Sequence, residues 1–98
     1  MILSKQTKRG KERYKQMNND WRNRIPTKVL NRLAECRSTK HDMLIMAKAC
    51  QRENPTVAPI DCVIYIMEWV TDWNNQIELE LTTAEFERYV KEVSNVTS

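Results

Sequence analysis

A single glycine, Gly10, and three prolines serve all 98 residues of this chain. Folds built from many short strands reverse direction often, and their tight turns call on glycine and proline at regular intervals. A chain with almost none of that chemistry is driven towards helices, which close their backbone hydrogen bonds internally and need few reversals. At this length, with 41% hydrophobic residues, the chain fills one modest core and not two. The expected fold class is all-α.

Apolar spacing divides the chain into elements. Residues 60–73 are its most apolar stretch, and Val63, Ile64, Ile66 and Val70 are β-branched, so a buried strand over 62–70 is an alternative. The polar residues arbitrate. Asp61, Glu68, Asp72 and Asn75 fall at steps of seven, four and three, with Tyr65 completing the row, a stripe that a helix produces and a strand does not. Trp69 and Trp73, at i and i+4, are expected in the core rather than on a partner-binding face.

Pro26 suits the first position of a helix carrying Val29, Leu30, Leu33 and Ala34. Thr39 or its neighbour caps the next, on which Met43, Met46, Ala47 and Cys50 share a face, and which ends before Pro55. Residues 54–59 read as a loop, with Pro59 starting the central helix. Ile77, Leu79 and Leu81 alternate with polar residues, fitting either an extended link or a frayed helix end. Thr82-Thr83-Ala84-Glu85 forms a capping box, with Leu81 and Phe86 at the positions of a hydrophobic staple, before a face of Phe86, Tyr89, Val90 and Val93. The expected architecture is a small bundle of about four short helices in residues 25–98, preceded by a basic arm and amphipathic helix in 1–24. A chain lacking residues 1–24 is expected to stay folded.

Charge is divided by position. Residues 1–52 carry 14 Lys and Arg against 4 Asp and Glu, whereas residues 53–98 carry 2 against 9. The net +3 thus conceals a half at +10 and a half at −7. Within residues 1–24, Lys5, Lys8, Arg9, Lys11, Arg13, Lys15, Arg22 and Arg24 face only Glu12 and Asp20. Residues 1–10 lack apolar periodicity and read as an arm. From Lys11 onward, Tyr14, Met17, Trp21 and Ile25 recur at i, i+3, i+7 and i+11. Lys8, Lys11, Lys15 and Arg22 flank that stripe as a ridge about 21 Å long if helical. Trp21 either pins this segment to the bundle or stacks on a base, and pinning is the favoured reading. The eight cations are the candidate residues for binding nucleic acid or a partner, with Lys28, Arg32 and Arg37 able to extend the patch.

Other chemistries lack their parts. Cys36, His41, Cys50 and Cys62 are zinc-ligand types, but no two stand at the two- to four-residue spacing of structural sites, and Cys50 and Cys62 fall on core faces. No metal or other cofactor is expected. The lone histidine, His41, stands beside Asp42 among Lys40 and Arg37, as a solvated side chain does, and supplies no base to a nucleophile. One glycine cannot build a phosphate loop. Glu78/Glu80 and Glu85/Glu87 are paired carboxylates without an apolar pocket to raise a pKa. An enzyme is therefore not expected. Residues 62–67, the longest apolar run, cannot span a bilayer. Three cysteines without a secretory signal suit reduced thiols in the cytoplasm. A helix-turn-helix is excluded by the long proline-bearing link at 54–59 and by a following helix too apolar for a groove.

The function expected is a small non-enzymatic regulatory or accessory protein that binds DNA or RNA through its basic N-terminal segment and leaves its acidic half to a protein partner. The alternative is a protein-binding adaptor or inhibitor, of the kind viruses and mobile elements encode, acting through charge-complementary surfaces. A third arrangement is a homo-oligomer that joins the basic end of one copy to the acidic end of the next.

Overall fold

Pro26 resets the backbone between the basic segment and the bundle. The computed structural model describes residues 20–35, 39–74 and 78–96. Asp20–Arg24 forms a short 3-10 helix, and Ile25 N–H bonds to the Arg22 carbonyl at 3.3 Å. A residue before proline is disfavoured in the α region, so the helix expected through Ile25 is broken there and a new one starts. Pro26 is the cap of that new helix rather than its first residue. The Pro26 carbonyl accepts from the Val29 and Leu30 amides at 2.9 and 3.2 Å and opens α1, Thr27–Ala34.

Thr39 caps α2, Lys40–Glu53, its hydroxyl accepting from the Asp42 amide at 3.2 Å. The loop after α2 is held by two amide side chains. Gln51 Nε2 donates to the Asn54 and Val57 carbonyls at 2.9 and 2.8 Å, and Asn54 Nδ2 donates to the Cys50 carbonyl at 2.8 Å. Pro59 then stands in the first turn of α3, Pro59–Trp73. Residues 78–82 are non-helical. Leu79 and Leu81 are buried there while Glu78 and Glu80 face solvent, which is the extended link. The capping box of Thr82 and Glu85 is complete and opens α4, Thr83–Ser94.

All four α-helices and the 3-10 helix contribute to one core, and no strand occurs among the described residues. Helices α2, α3 and α4 pack against one another, with the 3-10 helix on α2. Trp21 and Ile25 are buried with Val29 and Leu33, so the core reaches back to Trp21, four residues before position 25. Pinning is what Trp21 does. Tyr14 and Met17, the rest of that stripe, lie outside the described residues.

The polar row of α3 is largely interior: Asp61, Tyr65 and Glu68 are buried and Asp72 is exposed. The helix is enclosed nearly all round, and Trp21 and Arg22 lie against it at Tyr65 and Trp69. Conversely Trp73 is not core, being 43% exposed at the last turn. Cys50 and Cys62 are buried free thiols, as expected. The Cys62 thiol beside it, together with burial, pushes the Cys50 thiol well above its ordinary value.

Ion pairs join elements distant in sequence. Arg32 grips buried Asp42 with two bonds, Nε to Oδ2 at 3.1 Å and Nη2 to Oδ1 at 2.5 Å, tying α1 to α2. Lys40 donates to both Glu85 oxygens at 2.8 and 2.7 Å, tying the starts of α2 and α4.

Two outcomes follow. Trp21→Ala removes a side chain with no exposed surface and should cost about 3–5 kcal/mol in urea-unfolding experiments. Lys40 and the Thr82 backbone hold the Glu85 carboxyl down at about 2, below its ordinary 4.5. The stabilisation from this depressed group is complete above pH 4.5 and is lost as pH falls towards 2. The melting temperature of wild type should therefore exceed that of Glu85→Gln near neutrality, and the gap should close as the pH is taken through that window.

Candidate functional site

On a helix, residues four apart lie one above the other, so α3 displays Tyr65, Trp69 and Trp73 as a column of rings. The 3-10 helix lays Trp21 and Arg22 against it. Trp21 meets Tyr65 edge-on, with centroids 5.9 Å apart and planes at 76°, and meets Trp69 at 6.3 Å and 64°. Trp69 and Trp73 are stacked, 5.8 Å apart and within 5° of parallel. The Arg22 guanidinium carbon lies 5.9, 5.4 and 5.3 Å from the ring centroids of Trp21, Tyr65 and Trp69. Arg22 Nη2 donates to the Tyr65 hydroxyl. A cation over aromatic faces gains about 0.5–2 kcal/mol, the more so where water is excluded.

This cluster borders a surface depression of about 320 Å³ lined by Arg22, Tyr65, Trp69, Asp72 and Trp73. Its chemistry is an aromatic wall with a cation on one side and a carboxylate on the other. Such a site can stack a planar ring, attract an anion at Arg22 and accept a hydrogen bond at Asp72.

Of the eight cations expected to bind, Lys5, Lys8, Arg9, Lys11, Arg13 and Lys15 lie outside the described residues. Arg22 stands in the aromatic cluster. Arg24 is turned to α2, where Nη1 meets Glu53 Oε2 at 2.7 Å. Arg37 lies outside the described residues, as does Cys36. Lys28 is exposed on α1, and Arg32 is committed to Asp42. His41 is exposed in the first turn of α2.

Folding brings the two halves of the charge pattern together. Arg24–Glu53 at 2.7 Å, Lys40–Glu85 at 2.7 Å and Lys48–Glu92 at 3.6 Å each join a cation from residues 1–52 to an acid from residues 53–98. The described residues hold 9 Lys and Arg against 12 Asp and Glu, a balance of −3. Residues 1–19 hold 6 against 1, a balance of +5. By sequence, the excess of positive charge thus lies chiefly in residues 1–19.

Reading the sequence by charge alone misses Tyr65, Trp69 and Trp73 as one aromatic column. The i, i+4, i+8 spacing is the available signal, but Tyr65 also completes a polar row, and only the position of Arg22, 43 residues away, tells the two apart. Among the described residues no group of three or more His, Cys, Asp and Glu is placed to hold a metal ion, and no helix is long and apolar enough to cross a membrane.

No protein-family model matches the chain, and no curated protein or solved structure matches it. Tyr65→Phe keeps the ring and removes the acceptor for Arg22, and should lower stability by about 1–2 kcal/mol, since the guanidinium is only half-buried. A lower urea midpoint at unchanged slope would show it.

Proposed function

We propose that this chain is a small accessory or regulatory protein of the cytoplasm that binds nucleic acid through its basic N-terminal residues and catalyses no reaction. The observation that supports this reading is the partition of charge after folding. Within the described body most cations from the first half lie against carboxylates. Residues 1–19 keep +5, supplied by Lys5, Lys8, Arg9, Lys11, Arg13 and Lys15 against Glu12. Cations placed along a phosphate backbone release condensed counterions, which supplies sequence-independent binding free energy.

The body then has two tasks. It anchors the segment through Trp21, and its net negative charge keeps the phosphate backbone on the N-terminal side. The adaptor reading draws less support. Glu53, Glu85 and Glu92 of the acidic half are occupied by the chain's own cations, which leaves less carboxylate surface for a basic partner.

With about five phosphate contacts, affinity should fall about a hundredfold for a single strand, and several-hundredfold for a duplex, between 50 and 200 mM salt. Fluorescence anisotropy with labelled DNA and RNA measures this. Replacing Lys5, Lys8, Lys11 and Lys15 by Gln should flatten the salt dependence while leaving the melting temperature unchanged, because the exchange removes charge and no apolar side chain. No binding to any probe at 50 mM salt would refute the proposal.

A further inference from the structure

We infer that the depression beside Arg22 holds one unpaired base of a single-stranded nucleic acid, stacked on Trp73 with an exocyclic amino group turned to Asp72. This rests on the nucleic-acid reading above and narrows it to a strand type and a base chemistry.

Trp73 is the first ground. Trp69 covers one face of its indole at 5.8 Å and 5°, and 43% exposure leaves the other face open to solvent. An indole on a surface normally folds down to shed its contact with water. Here the stack on Trp69, itself seated against Trp21, holds the ring as a rigid platform. Binders of single strands combine such platforms with a cationic track for the backbone.

Position is the second ground. The +5 segment enters the body at Asp20, directly before the two residues, Trp21 and Arg22, that form one side of the cluster. The cations that would hold a strand are therefore tethered within a few residues of the depression. Arg22 in its lining opposes a cationic occupant, such as a lysine or arginine side chain, which an aromatic wall and a carboxylate would otherwise suit. A planar group carried on a polyanion satisfies both the wall and the field.

Size and polarity are the third. The volume of about 320 Å³ lies at the small end of ligand sites, enough for one base and too little for a stacked run. Asp72 is exposed at the rim and makes no ion pair among the described residues. As an acceptor it suits the 4-amino group of cytosine and repels the O4 carbonyl that thymine carries at the same position. In a duplex that edge is paired and the ring faces are stacked, so the site is closed to double strands.

The test uses the full chain at one low salt concentration, with oligo(dC), oligo(dT) and a mixed duplex of about twelve nucleotides each. Wild type should bind oligo(dC) more tightly than oligo(dT), and both more tightly than the duplex. Trp73→Leu should weaken single-strand binding by about tenfold, the value of one stacked base, with duplex binding unchanged. Asp72→Asn should abolish the preference for oligo(dC), because an amide offers a donor to the thymine carbonyl. Equal effects of Trp73→Leu on single strands and duplex, or no effect on either, would overturn the inference while leaving nucleic-acid binding intact. Failure of wild type to bind any probe overturns the functional reading itself. If circular dichroism shows that Trp73→Leu disturbs the fold, Asp72→Asn decides: an unchanged base preference counts against the site and a lost preference supports it.

Discussion

Trp21, wedged edge-on between Tyr65 and Trp69, is the contact on which the arrangement of this molecule depends. It is fully buried although it stands in a 3-10 helix of five residues, and an element that short has no stability of its own. Packing supplies what local structure cannot. Edge-to-face aromatic pairs add about 0.5–1.5 kcal/mol beyond the area they bury, and Trp21 makes two of them. The Arg22 cation then lies over three rings and closes the side of α3 that Trp21 leaves open. Through this cluster the 3-10 helix, which follows a strongly basic stretch of sequence, is fixed to a particular face of a mildly acidic body.

The electrostatics follow the same logic of long-range closure. Arg24–Glu53, Lys40–Glu85 and Lys48–Glu92 are largely exposed, and each contributes about 0–1 kcal/mol. Their effect on the field is larger than their effect on stability. Cations from the first half are neutralised where they lie against the bundle, and net positive charge survives on the residues before the aromatic cluster. Only Arg32–Asp42, with a buried carboxylate gripped at two points, is a pair whose rupture would leave a charge stranded in the interior.

The helices were legible because their ends are written in short-range chemistry. Thr39, Pro59 and the Thr82–Glu85 box act within one turn, and each stands where its local sequence places it. The alternation of Leu79 and Leu81 likewise told inside from outside. What periodicity could not reveal is what covers a face. Asp61, Tyr65 and Glu68 mark a polar side of α3, yet all three are buried, Tyr65 under Trp21 and Arg22 from more than 40 positions away. Trp73 continues the aromatic column past the region that these residues cover, so an apparent core residue stands in water. The candidate site was half visible for the same reason. Its cations stood out by number, whereas its aromatic platform depends on a tertiary contact.

The ionic pairs that join the two halves also give the chain a direction in time. A ribosome releases residues 1–52, with their balance of +10, before the acids that will face Lys40 and Lys48 exist. Helix α4 supplies Glu85 and Glu92 last. While only residues 1–52 have been made, the nascent chain at +10 is a stronger polycation than the whole chain at +3, drawn to any polyanion nearby. Synthesis of residues 53–98, with their balance of −7, is therefore an act of self-neutralisation, and the last helix completes it by setting Glu85 and Glu92 against Lys40 and Lys48.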